Sequence, residues 1–246
     1  MKSEQKKSSG FTLVEISIVM IIIGLLIGGT FGGMKLIENM QVNKTVQDLK
    51  AIESAALTFR DTYGRLPGDI TSPSTRLPNC TVAPCATGGN GNRVISPTGY
   101  LPAITNADEG FSFWHHLSAA DILQIGVNPS TDISFGEGQP NAPIDGGYRL
   151  GGGYTSSFSN PAAKRFQGTA LFNAREPTLS LSAGNAAIIP CPMIRNIDLK
   201  VDDGMAYDGV LIGWGCAATT GGGWGDNLAP YYSSGLGSVV YDLKGF

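Results

Sequence analysis

The 246-residue sequence predicts an α+β chain: a long N-terminal α-helix, membrane-spanning in its first half, packed on a loop-rich head with a small antiparallel β-sheet. Three observations predict it. From Ile16 to Met34 there are 19 uncharged residues dominated by Ile, Leu, Val, Met and Gly. Apolar side chains then recur at helical spacing through Val42, Val46, Leu49, Ile52, Ala56, Phe59 and Tyr63, with Asn43, Gln47, Lys50 and Glu53 on the other face. Glycine, at 34 residues, crowds the C-terminal two thirds without a three-residue period, which points to short strands joined by turns.

Composition narrows the function classes. Charged residues make up 15% of the chain, against about 25% in a typical globular domain. The net charge is −3, and no run of Lys or Arg extends past the first seven residues. Phosphate binding needs clustered cations, so nucleic acid is not an expected partner.

The first ten residues carry Lys2, Lys6 and Lys7 against Glu4 and end at Gly10. At about 1.5 Å per residue, a helix from Phe11 to Met34 covers roughly 36 Å, enough to cross a bilayer core with some tilt. The lysines before it orient the leader toward the cytoplasm. A secretory signal would be cut after its apolar stretch at small residues. Here the natural break, Ser8-Ser9-Gly10/Phe11, lies before it.

Glu15 interrupts the apolar run, and a carboxylate at the edge of a spanning segment costs about 2.5 kcal/mol or more unless paired or neutralised. Thr12-x-x-Glu15 also has the form of a helix capping box, a reading compatible with an intermolecular role. The string Gly10-Phe11-Thr12-Leu13-Val14-Glu15 resembles the processing site of type IV prepilins and type II secretion pseudopilins. The resemblance implies cleavage between Gly10 and Phe11 by a membrane peptidase, N-methylation of Phe11, and pairing of Glu15 with the Phe11 amine of a neighbouring subunit. It implies a pilin-like fold, a single pass through the bacterial inner membrane with the head in the periplasm, and a later place in a periplasmic or cell-surface filament. The implied partners are the prepilin peptidase and methylase, other pilin or pseudopilin subunits, the inner-membrane assembly platform and membrane lipid.

These elements divide the chain into a cleaved leader (1–10), a transmembrane and polymerisation helix (11–35), its continuation on the head (36–66) and the head itself (67–246). Gly64 and Pro67-Gly68 end the helix. Many major pilins carry a proline where this chain has Gly28, Gly29, Gly32 and Gly33. These glycines suit either local melting on assembly or close helix packing in the membrane.

The segment Asp61-x-Tyr63-Gly64-x-Leu66-Pro67-Gly68-Asp69 resembles one found in a set of prepilin-like proteins, and its turn chemistry gives Asp69 a structural role. Residues 70–105 read as an irregular loop. Cys80, Cys85, Cys191 and Cys216 allow three disulfide connectivities. Proximity favours Cys80–Cys85 and Cys191–Cys216 in an exported chain, with free thiols or a metal site as rivals. Cys-x4-Cys without a nearby His is poor zinc spacing.

Asp108 to Ile125 reads as a second helix with Phe111, Trp114, Leu117, Ile122 and Ile125 on its apolar face and Asp108-Glu109 suited to its N-terminus. His115 and His116 point about 100° apart on a helix and do not readily share a metal. Short β-like runs follow at Gly147 to Leu150 and Phe166 to Phe172. Thr178 to Val201 reads as partly helical with Pro190 and Pro192 interrupting, and strands follow at Gly209 to Trp214 and Val239 to Leu243.

Asp198, Asp202, Asp203 and Asp208 form the one cluster that suggests an ion, and calcium is the ion such carboxylates would take. The rival reading is a helix end with Asp202-Asp203-Gly204 as its turn. No cofactor is required. Trp214, Trp224, Tyr231 and Tyr232 suit adhesion or, equally, core and subunit contacts. No nucleophile elbow, Walker loop or zincin motif is present, so an enzyme is not expected.

The expected function is a structural filament subunit. A chain of 246 residues less a ten-residue leader leaves 236, which leans toward a minor or specialised pilin or pseudopilin. The alternative is a signal-anchored periplasmic binding or adhesion module that never polymerises.

Overall fold

A reciprocal cap sets the start of the first helix. The Glu15 amide donates to Thr12 Oγ1 at 3.3 Å, and the Thr12 amide donates to Glu15 Oε2 at 2.7 Å. Two otherwise orphaned N–H groups are thus satisfied, and α1 runs from Leu13–Tyr63 rather than from Phe11. The computed structural model describes residues 10–96, 104–152, 169–177, 188–206, 209–216 and 235–243. The chain forms two compact units, Met1–Met40 and Gln41–Phe246.

In the first unit, every large apolar side chain from Phe11 to Met40 is exposed, from 45% at Ile23 to 85% at Phe11. Among the described residues, α1 is the one helix long and apolar enough to cross a membrane.

In the second unit, one stripe of α1 is buried. Val42, Val46, Leu49, Ile52, Ala56 and Phe59 share a single apolar core with Trp114, Leu150, Leu171, Ile194, Leu211 and Tyr241. Burial of each large side chain contributes roughly 1.5–3 kcal/mol, so this stripe ties the helix into the head. Polar groups fix its register. Tyr241 Oη donates to Glu53 Oε2 at 2.6 Å, and Lys200 Nζ donates to Asn43 Oδ1 at 2.7 Å. Burial, aided by the Glu53 carboxylate, raises the pKa of the Tyr241 hydroxyl and keeps it a donor. Gly64, at φ +69°, ends the helix, its N–H donating to Arg60 O at 2.7 Å.

The described residues of the following segment, 70–96 and 104–105, are irregular as expected apart from the single turn α2 (Pro73–Arg76), and 97–103 lie outside the described residues. The next helix, α3 (Glu109–Ala119), is shorter than the expected Asp108 to Ile125. Asp121 takes a left-handed conformation at φ +56°. Its N–H donates to Ser118 O at 3.0 Å, and that of Ile122 to Leu117 O at 3.1 Å, which closes the helix. Ile122 and Ile125 therefore lie outside the helix but still pack against the core.

The sheet is antiparallel throughout. β1 (Gly147–Gly152) pairs with β2 (Thr169–Ala174), placing Leu150 opposite Leu171. β5 (Leu236–Asp242) lies beside β2, Leu171 opposite Tyr241. The short β3 (Ile189–Pro190) and β4 (Leu211–Trp214) both pair with β5 as well. The expected run from Phe166 begins outside the described residues. β5 starts three residues before the expected Val239 because Gly237 and Leu236 pair with Ile189 and Pro190.

Between β3 and β4, α4 (Cys191–Val201) is continuous. The expectation that Pro190 and Pro192 interrupt a helix is corrected. Both sit at its N-terminus, where a missing N–H leaves no intrahelical bond unmade. Residues 178–187 lie outside the described set. The Cys80–Cys85 and Cys191–Cys216 disulfides have Cα separations of 5.2 and 5.4 Å. The second ties the start of α4 to the chain just beyond β4.

Candidate functional site

The helix cap leaves the N-terminal junction open. Gly10, Phe11 and Thr12 precede the first helical residue and are exposed, so the Gly10–Phe11 peptide is outside the α1 hydrogen-bond ladder. Glu15 is exposed on the first turn and engages Thr12 twice, through its amide at 2.7 Å and its hydroxyl at 3.0 Å. The carboxylate is held, yet by groups on the surface of the helix end. A competing donor can reach it without unpacking a core. Leader residues 1–9 lie outside the described set.

The aspartate cluster is a helix end. Asp198 is buried on α4, and one carboxylate oxygen from each of Asp198, Asp202 and Asp203 lies within 4.8 Å of the others. Asp202 Oδ2 accepts the Val210 amide, and Asp203 Oδ1 accepts the Met205 amide at 2.8 Å. The turn thus already uses two of these carboxylates. Asp208 lies outside the described residues, as do Trp224, Tyr231 and Tyr232.

Buried polar groups gather where α1 enters the head. Asp69 is fully buried and accepts three amides, from Gly91 at 2.6 Å, Asn92 at 3.1 Å and Arg93 at 2.7 Å. Glu109 is also buried, accepting the Asn90 amide at 2.9 Å and the Ser96 amide at 2.7 Å. Its place in the first turn of α3 suggested a partner for the helix dipole. In the fold it anchors the 90–96 loop, a role that sequence spacing does not reveal.

His115 and His116 are both buried and turn to different partners. His115 Nδ1 donates to Phe111 O at 3.1 Å, while His116 bridges Gly68 and Cys85. Burial lowers the pKa of both, that of His116 to about 4. His116 also lies near Cys80 and Cys85, but sulfurs joined in a disulfide are not thiolate ligands, so this trio does not form a metal site.

The geometry therefore defines a chain with an exposed apolar N-terminal helix, an open capped junction and a pilin-like α+β head. Residues 5–31 match the prokaryotic N-terminal methylation motif, the signature of type IV prepilins and pseudopilins. That motif marks a processed, pilin-like subunit and implies a peptidase and other subunits as partners. The apolar helix fits a membrane-anchored protein of this kind. No curated protein and no solved structure matches the chain.

Proposed function

We propose that this chain is a minor or specialised subunit of a type IV pilus or type II secretion filament, cut between Gly10 and Phe11, N-methylated on Phe11 and assembled through α1. One observation carries the reading: the methylation motif at 5–31 coincides with the first part of α1, in which every large apolar side chain up to Met40 is exposed. Such a surface must be covered by lipid or by other apolar helices. Residues 11–35 form the membrane and polymerisation segment, 36–66 its continuation and 67–246 the head. The chain first spans the inner membrane once with its head in the periplasm, and the assembly platform then moves it into the filament. Glu15 exchanges Thr12 for the Phe11 amine of a neighbouring subunit.

The test is Gly10→Ala in the full chain expressed with a prepilin peptidase. Mass spectrometry of the wild type is expected to find a methylated N-terminus at Phe11, and the variant is expected to keep its leader. Cleavage of the variant at wild-type rate, or a wild-type cut after the apolar segment, contradicts the reading.

Calcium at Asp198, Asp202 and Asp203 is a separate proposal, supported by the approach of their carboxylate oxygens. Calcium added to the full chain in detergent is expected to raise its melting temperature by several degrees, an effect lost in Asp198→Asn. An unchanged melting temperature removes the ion and leaves the helix-end role.

A further inference from the structure

His116 is held in one tautomer by the main chain. The Gly68 N–H donates to Nδ1 at 2.8 Å, so Nδ1 carries no proton. Nε2 faces Cys85 O at 2.8 Å and must therefore be the protonated nitrogen that donates to it. The ring thus joins three segments that are distant in sequence. These are the turn that follows α1, the disulfide loop and α3, and the ring also stacks on Phe59 of α1 with centroids 6.4 Å apart and planes 9° apart. A neutral imidazole satisfies both neighbours. An imidazolium does not, because a second proton can go only to Nδ1, where it meets the Gly68 N–H head-on.

The surroundings compensate a charged ring only weakly: backbone hydrogen bonding with Cys85 and Thr87 favours it, and burial outweighs both. On the turn, Arg65 donates to Gly91 O, and Asp69 accepts the Gly91, Asn92 and Arg93 amides. On α3, Glu109 accepts the Asn90 and Ser96 amides, and the charge of His115 repels a second cation. On the disulfide loop, Cys80 and Cys85 are oxidised and do not titrate. Near the end of α1, Arg60 lies 3.8 Å from Asp61 on the surface.

We propose that His116 is an acid-released clasp, in which a proton at Nδ1 breaks the bond to Gly68 and frees the turn after α1 from the disulfide loop while the sheet stays intact. The proposal concerns the head alone and does not depend on processing or polymerisation. It gives an exported head a response to the pH outside the cytoplasm.

The sign follows from the two states. With the clasp open, the ring recovers an ordinary pKa near 6.5, against about 4 when closed. Acid therefore favours opening, by about tenfold per pH unit between 6.5 and 4 and by roughly 300-fold in all. Above pH 6.5 the clasp is at full strength.

The test is amide hydrogen exchange of the full chain in detergent micelles, corrected for the pH dependence of the chemistry itself. Gly68 protection is expected to fall about tenfold per unit from pH 6.5 to 4, leaving Gly68 at least a hundredfold less protected than the amides of β2 and β5. His116→Asn, which retains an acceptor near Nδ1 but does not titrate, is expected to remove the pH dependence. His115→Asn is expected to keep it. Three results overturn the proposal: unchanged Gly68 protection at pH 4, loss of Gly68 protection only in step with β2 and β5, or dependence that disappears in His115→Asn.

Discussion

Glu15→Ala is expected to yield a chain that is cut after Gly10 but fails to enter filaments, with incorporation at least tenfold below wild type. The carboxylate has two separable physical roles. Within its own chain it accepts the Thr12 amide at 2.7 Å, a helix cap worth about 1 kcal/mol. That is little for a helix of 51 residues whose second part is fixed by the head core. In an apolar filament core, the same carboxylate faces a cost of about 2.5 kcal/mol or more unless a cation meets it, and an unpaired Phe11 amine faces a similar one. Removing Glu15 strands that amine, so the loss falls on assembly.

Glu15→Gln separates the roles, because an amide oxygen can still accept the Thr12 N–H but carries no charge. Equal failure of Gln and Ala variants, read as sheared-filament against membrane fractions with the mature N-terminus verified, supports charge pairing. Normal assembly of Glu15→Gln leaves only the cap. Normal assembly of both removes Glu15 from the polymerisation mechanism, whereas no filament with the wild type under any condition favours an anchored module that does not polymerise.

The N-terminal segment was legible in the sequence because its signals are local. The Gly10-Phe11 junction, the position of Glu15 and the apolar run all sit within one stretch of chain. The α1 stripe was legible for the same reason, since helical spacing through Val42, Leu49 and Phe59 reports a buried face wherever the partner surface lies. The head was less so. The end of α3 is closed by Asp121 in a left-handed conformation. Asp lacks the strong signal that Gly gives at such a cap, and apolar residues at Ile122 and Ile125 extended the apparent period. Glu109 and His116 were illegible as loop anchors because their partners, Asn90, Ser96, Gly68 and Cys85, are backbone groups. Any residue type supplies a backbone amide or carbonyl, so the sequence carries no mark of the pairing. Pro190 and Pro192 misled for a positional reason: the same residues that break a helix interior start one cleanly.

Gly68→Ala is expected to destabilise the head by about 3 kcal/mol or more, whereas Gly64→Ala is expected to cost about 1 kcal/mol. The two glycines share a backbone requirement, with φ of +86° and +69°. Alanine pays a similar conformational penalty at both. They differ in what surrounds the missing side chain. A Cβ on Gly64 meets nothing within 4 Å, while one on Gly68 overlaps the carbonyl oxygen of Glu109, a backbone atom in the first turn of α3 that cannot rotate away. Relief would require the turn and α3 to separate, which weakens the Gly68 bond to His116 and disturbs Asp69, whose three amide contacts hold the 91–93 loop. Thermal melts of both variants in the full chain measure the difference directly. Equal shifts would mean that conformation alone sets the need for glycine at 68, and that the joint between α1 and the head is looser than its hydrogen bonds imply. A much larger shift for Gly68→Ala locates the rigid part of the head at this joint, where α1 leaves its helix and the chain must turn against α3.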